Sequence, residues 1–467
     1  MPDRSIDVKA LLDRSRLGPF RLRVFFVCWS IALLDGFDVQ VMAFVAPVLS
    51  KSWNIPPTLM GQVLTASLFG LMLGSVFLGR LSDRIGRRPV MIASVVAFGI
   101  GSLVTAFSAS AWHLILTRCA TGLGLGGAMV TALSLTSEYA PERSRATLVT
   151  EMFVGFPLGG SIGGLISTPL ISFFGWQAVF VFGGIAPLLL IGAVCRWMPE
   201  SLLYRVASGA DPREIGALVQ RVDGNYRYQA GDRFELNDTR AGSPRIAELF
   251  TSARLPGTLL IWLTCFANLL VLYLLLNWLP SILHQAGMSL ARANMGVVIF
   301  SLGGVVGGLA LSHAVDRLGA FRVLPAGYGV TALIVLALAH TESRTLAFVL
   351  TTVAGAGIIG AQFCVNALAS AFYPTAVRST GVGWALGVGR IGSIVGPLAG
   401  GFALASGASA ATIFAGSAIP ILVCSVAVVL LSYVYHHGGA SLQFVGDALA
   451  PGPVVPGARP AGAERPD

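Results

Sequence analysis

Asp35 and Asp38 stand three residues apart inside Val24–Leu49, a stretch otherwise apolar enough to cross a bilayer. That spacing places both carboxylates on one face of a helix. An acid at membrane depth costs ~2.5 kcal/mol or more, so it marks a candidate functional site, and its face must look into protein or water, not lipid. Close, desolvated carboxylates disfavour double ionisation, which makes the pair a candidate site for taking up and releasing a proton. Gly36 between them would let another helix or a ligand approach the backbone closely. The competing reading, a capping pair at a boundary in a soluble protein, is opposed by the composition of the whole chain. Glu138, just before Pro141-Glu142-Arg143-Ser144-Arg145, is a third acid that could join a proton route or form a gate ion pair with those arginines. Glu151 is ambiguous in the same way. Two cations, Arg118 and Arg390, also lie in apolar stretches. A guanidinium stays charged and offers a planar, two-point partner to a carboxylate. For each, an internal ion pair that only locks helices is the alternative. His113 and His313 sit at the ends of apolar stretches and read as interfacial residues.

The chain is 55% hydrophobic and 11% charged, against roughly 25% charged in soluble domains. A spanning helix needs ~20 apolar residues. Twelve candidates appear, at about 24–49, 60–78, 90–108, 113–137, 147–171, 177–197, 256–283, 289–313, 323–340, 345–370, 380–405 and 410–435. The expected fold is therefore an all-α integral membrane protein of twelve transmembrane helices. Its expected parts are an N-terminal segment 1–23, a six-helix bundle 24–197, a polar linker 198–255, a second bundle 256–435, and a Pro/Gly/Ala-rich tail 436–467 expected to be disordered. No short apolar core with a cleavage site precedes the first span, so no cleaved signal peptide is expected. With both termini in the cytoplasm, the inward segments hold 26 of the 31 Lys/Arg, leaving Lys51, Arg292 and Arg344 outside and Arg118 and Arg390 in spans. This is the positive-inside asymmetry. The net charge of +9 is thus topology, not a nucleic-acid footprint. The six cysteines lie in apolar stretches without paired spacing, so neither disulfides nor a metal site is expected. Gly122-Leu123-Gly124-Leu125-Gly126-Gly127 satisfies a dinucleotide fingerprint in letters only, since no strand precedes it, and reads as small-residue helix packing. There is no P-loop, and no cofactor is expected.

The halves repeat. Gly74, Asp83-Arg84-Ile85-Gly86, Pro141 and Arg145 are answered by Gly307, Asp316-Arg317-Leu318-Gly319, Pro374 and Arg378 at one offset of 233 residues. At that offset Asp35 falls on Asn268. Parallel repeats of this kind belong to alternating-access transporters, with the ligand at the interface of the halves near mid-membrane. The run Gly79-Arg80-Leu81-Ser82-Asp83-Arg84-Ile85-Gly86-Arg87-Arg88 reads as a tight loop between the second and third spans. In this run the sequence resembles the major facilitator superfamily over about residues 20–436. The resemblance implies a conformational latch formed by Gly79, Asp83, Arg84, Gly86, Arg87 and Arg88, with Asp316 and Arg317 as its weaker second copy. The alternative is a loop that only fixes topology by its charge.

Three further segments narrow the resemblance: Asp35-Gly36-Phe37-Asp38, Asn268 to Trp278-Leu279-Pro280, and Tyr373 to Gly381 leading into Gly383-Trp384 and Arg390-Ile391-Gly392. Together they are similar to the aromatic acid:proton symporters of bacteria. The resemblance implies a non-enzymatic, monomeric inner-membrane importer that takes up a small aromatic carboxylate with protons. Arg390 and Arg118 are then candidates for the carboxylate, and Asp35, Asp38 and Glu138 for the proton. Phe37, Tyr273, Trp278 and Trp384 are candidates for the ring, with Asn277 beside them, and Asn268 for a hydrogen bond. A facilitator of another organic anion, an exporter of hydrophobic compounds, and a transporter-like sensor remain alternatives.

Overall fold

The computed structural model describes residues 4–15, 17–224, 226–229, 231–235, 249–251, 254–341, 343–373 and 377–437. Pro374 of the repeat, Asn225 of the linker and residues 438–467 of the tail lie outside the described residues.

A short strand β1 (Ser5–Asp7) and helix α1 (Val8–Arg14) precede six long helices: α2 (Pro19–Ser52), α3 (Pro57–Ile85), α4 (Arg87–Ala106), α5 (Ala111–Tyr139), α6 (Arg145–Phe174) and α7 (Gln177–Trp197). The linker contributes α8 (Leu202–Ala207), α9 (Pro212–Val222) and strand β2 (Arg233–Glu235). Six more long helices follow: α10 (Leu255–Gln285), α11 (Leu290–Leu318), α12 (Ala320–His340), α13 (Arg344–Phe372), α14 (Arg378–Ala405) and α15 (Ala410–His437). Among the described residues twelve helices are long and apolar enough to span a bilayer. They are spans 1–6 (α2–α7) and 7–12 (α10–α15).

Glycine sets how closely the spans approach. Gly70 and Gly74 of span 2 lie on the backbone of span 4 at Cys119 and Leu123, while Gly122 and Gly126 of span 4 lie on span 2 at Ser67 and Leu71. The second half repeats this between spans 8 and 10, where Gly303 and Gly307 meet Thr352 and Ala356. The glycine-rich run at 122–127 is thus helix packing. A side chain at any of these positions would collide with backbone, which cannot yield as a flexible side chain can.

The two halves meet towards one end of the bundle. Thr65 Oγ1 of span 2 reaches Ile394 O of span 11 at 3.5 Å, and Ser161 Oγ of span 5 reaches Val298 O of span 8 at 3.5 Å. Asn294 Nδ2 donates to Thr168 Oγ1 at 3.2 Å, and Ser301 Oγ donates to Gln40 Oε1 at 3.5 Å. Span 2 contributes its first turns here, and Gly61 fits under Pro397 O and Gly401. This seal lies at the far face, opposite the joint at Gly86 between spans 2 and 3, which defines the near face.

One expectation is corrected. Residues 79–85 are not a loop: span 2 stays helical to Ile85, and Gly86 alone, at φ +103°, joins it to span 3. Its repeat mate Gly319 has φ +86° between spans 8 and 9. A left-handed joint of one glycine suffices, so the preceding charged residues extend the helix past the apolar zone. A two-stranded sheet, three residues in each strand, accompanies the helices outside the spans. Strand β1 pairs in parallel with β2, Ser5 opposite Arg233 and Asp7 opposite Glu235. Val8 and Leu12 of α1 are buried, as are Ile215, Val219 and Val222 on one face of α9, so the N-terminal segment and linker build a small cap on the near face of the first half.

Candidate functional site

Span 1 carries its two acids to different partners. Asp38 is fully buried and takes Arg118 of span 4 in a two-pronged pair, Nη1 to Oδ1 at 3.0 Å and Nη2 to Oδ2 at 2.6 Å. Arg118 Nη2 also donates to the Asp38 carbonyl at 2.8 Å. The guanidinium lies 5.6 Å from the centre of the Phe180 ring, a cation–π contact that replaces part of the lost hydration. A desolvated pair needs this geometry, because the cost of burying each charge is several kcal/mol.

Asp35 is also buried, but its Oδ1 has no hydrogen-bond partner. It faces the other half of the protein. Arg390 of span 11 lies within electrostatic reach of Asp35 and of the Tyr273 hydroxyl on span 7. Arg390 is partly exposed, whereas Arg118 is sealed. Asp35 precedes Gln40 of the seal by five residues and Arg390 precedes Ile394 by four. At 1.5 Å per residue, this cluster therefore sits about 6–8 Å to the near side of the closed end.

The remaining candidates scatter. Asn268 Nδ2 donates to Ile358 O at 3.2 Å and Gln362 Oε1 at 2.7 Å, and Gln362 Nε2 continues to Asn366 Oδ1 at 2.8 Å. A chain of amides thus links spans 7 and 10, where the first half has its ion pair between spans 1 and 4. Trp278 Nε1 donates to Pro397 O at 2.7 Å and fills the gap over Gly400, a helix-packing role beside the seal. Asn277 Nδ2 bonds back to Tyr273 O within its own helix at 2.9 Å. Phe37 packs on Phe182 with ring centroids 5.5 Å apart and lies against Gly163 and Gly183, inside the first half. Trp384 is 43% exposed near the start of span 11 and stacks on Trp262. The structure brings Asp35, Arg390 and Tyr273 together; it does not bring Phe37, Trp278 or Trp384 to them.

Glu138 is buried away from this cluster. It accepts from Ser201 Oγ at 2.6 Å and Leu203 N at 3.0 Å, docking α8 onto the end of span 4. Arg145 instead pairs with Asp13 of the N-terminal segment. Glu151 and both His113 and His313 are exposed. At the near-face joint Asp83 pairs with Arg87 at 3.3 Å on the surface, and Arg88 Nη2 donates to Cys195 O at 2.7 Å. Tyr204 Oη donates to Arg84 O at 3.1 Å. Gly79 lies over Val130, and Asp316 and Arg317 are exposed. The organiser of this joint is a residue the sequence reading passed over: Glu200 Oε1 accepts from Arg87 N at 2.8 Å and Arg88 N at 3.3 Å, closing the start of span 3. Gln40, Gln362 and Asn366 were likewise passed over, although each is a polar residue within an apolar run.

Residues 28–397 and 291–451 match the model of the Major Facilitator Superfamily. The chain belongs to the major facilitator superfamily. This facilitator is 36% identical over 428 residues to the gallate transporter of Pseudomonas putida, covering 91% of this chain and 95% of that one. It is 35% identical over 436 residues to the 4-hydroxybenzoate transporter PcaK of the same organism, covering 93% and 97%. Among solved structures, the facilitator is similar to the inward open conformation of the xylose transporter XylE from E. coli, with TM-score 0.66, 17% identity, and 92% and 100% of the two chains covered. At that identity the likeness concerns the fold.

Proposed function

We propose that this facilitator imports an aromatic carboxylate together with protons across the bacterial inner membrane, moving it without chemical change. The gallate and 4-hydroxybenzoate transporters it resembles point to a benzoate-type acid bearing ring hydroxyls. The observation that carries the reading is Asp35 of one half lying opposite Arg390 and Tyr273 of the other.

The chemistry follows from competition for one cation. Ionised Asp35 attracts Arg390 and competes with any incoming carboxylate. A proton on Asp35 removes that competitor, and Arg390 is released to make a charge-assisted, two-point contact with the substrate. Proton and anion thus favour each other's binding, which is the coupling a symporter needs. The Tyr273 hydroxyl orients the guanidinium. Asp38 and Arg118 belong to one half and keep their partners as the halves rock, so their role in this reading is to hold spans 1 and 4 together around Asp35.

The excess of Lys/Arg in the inward segments supports a cytoplasmic location for the near face and for both termini. The seal at the far face then corresponds to a conformation closed to the outside, with Arg390 approached from the cytoplasm. The site lies within one chain, so a monomer suffices. The Asp83–Arg87 joint, held by Glu200, acts as the latch between conformations.

Right-side-out membrane vesicles test the reading. An imposed gradient, acid outside, should drive labelled 4-hydroxybenzoate above its equilibrium level, and a protonophore should collapse the accumulation. Uptake indifferent to the gradient would remove proton coupling. Failure with every hydroxybenzoate tried would remove the substrate class.

A further inference from the structure

A crevice of about 340 Å³ opens on the near face, between the ends of spans 3 and 6 and the linker helices α8 and α9. Arg88, Arg196, Arg205 and Arg221 line it, against only Glu200 and Glu214. Both acids are already engaged. Glu200 accepts from the backbone amides of Arg87, Arg88 and Ser201, and Glu214 takes Arg205 Nη1 at 2.8 Å. Positive charge is therefore left over. Arg221 stacks 4.6 Å from the centre of the Phe20 ring, and the Nε atoms of Arg88 and Arg205 are buried without an acceptor.

The crevice also sits at the edge of the bilayer. On span 6, Phe182, Ile185 and Leu189 are 40%, 46% and 75% exposed. Their spacing of three and four residues puts them on one outward stripe, and Arg196, seven residues beyond Leu189, continues it. A lipid lying along this stripe would place its acyl chains on Leu189 and Ile185 and its headgroup at Arg196. Trp197, 46% exposed beside it, is the residue type that settles at headgroup depth.

We propose that this crevice binds the phosphodiester headgroup of an anionic phospholipid. Arginine forks match phosphate oxygens in geometry as well as charge, and basic recesses between span ends recognise such headgroups. The site is separate from the Asp35–Arg390 cluster, and its existence does not depend on what the facilitator transports.

Purified full-length protein titrated with phosphatidylglycerol, with bound lipid counted by intact-complex mass spectrometry, tests this. Wild type should retain phosphatidylglycerol over phosphatidylcholine. Arg196→Gln with Arg221→Gln should weaken retention on the order of thirtyfold, about 2 kcal/mol at 1.4 kcal/mol per tenfold. If that double variant does not fold, the exposed single change Arg196→Gln should still cost roughly fivefold. Inorganic phosphate at millimolar concentration should not displace the lipid. Equal retention by variant and wild type, or of the two lipids, would overturn the proposal. Displacement by inorganic phosphate would overturn it in favour of a free-anion site.

Discussion

Of the two acids three residues apart in one span, only one is held in an ion pair. Asp38 is consumed by Arg118 in a sealed pair. Asp35 keeps an unpartnered oxygen and faces a partly exposed arginine across the boundary between the halves. Substitutions should separate the roles. Asp38→Ala strands a buried guanidinium and should destabilise the protein by about 3–5 kcal/mol, read as a lowered melting temperature in detergent. Removing both charges, Asp38→Leu with Arg118→Leu, should recover most of that loss, and a double variant no better than the single would contradict a structural pair. Arg390 should behave differently. Arg390→Ala should leave melting nearly unchanged but weaken binding of the acid by about 2–3 kcal/mol, the scale of a hydrogen bond to a charged group. Arg390→Lys should lose about tenfold, since the charge remains while the two-point contact goes. Calorimetry with the acid and its uncharged amide checks this: equal losses for both ligands would show that Arg390 only supports the fold.

At the scale of elements, the proposed transport cycle would open the seal and shift the joint. The seal is built of neutral hydrogen bonds and glycine contacts, so it stores no desolvated charge to be separated when it opens. A Cβ at Gly401 would lie 2.7 Å from Pro57 O, backbone that cannot swing away. Gly401→Val should therefore push the halves apart at the far face. In a cysteine-free background carrying Gln40→Cys, an impermeant maleimide added from that face should react several-fold faster once Gly401→Val is introduced. An unchanged rate would mean the contact is not part of the closure. At the joint, Asp83 is exposed and its pair with Arg87 contributes at most about 1 kcal/mol. Asp83→Asn should slow turnover strongly while leaving substrate affinity nearly unchanged, because it shifts a balance between conformations far from the site. Loss of binding with intact turnover would contradict the latch.

At the scale of the whole molecule, the apolar runs are long and their number legible, because a lipid solvent forces every backbone polar group into a helix. The twelve spans accordingly start and stop close to where hydropathy places them. The repeat was legible too, since Gly86 and Gly319 both need a left-handed backbone. What periodicity could not report was pairing at long range. Nothing in the spacing of Asp38 and Arg118, 80 residues apart, indicates that they share a bond while Asp35 does not. The aromatic candidates illustrate the same limit: Trp278 and Phe37 are of the right type, but glycines opposite them, Gly400 and Gly163, turn them into packing residues. The near-face cap escaped because its pieces are short and lie in segments more than 200 residues apart that fold only against each other.

In the proposed cycle a proton on Asp35 frees Arg390 for the substrate carboxylate. Asp35→Asn keeps the shape and fixes the site in its uncharged condition, so it separates binding from coupling. The measurement is made on one preparation of vesicles, recording gradient-driven accumulation of labelled 4-hydroxybenzoate and its exchange against unlabelled internal substrate without a gradient. Asp35→Asn should abolish accumulation while exchange continues at a rate comparable to wild type. Accumulation at wild-type levels in Asp35→Asn would contradict it, because the proton would then be carried elsewhere.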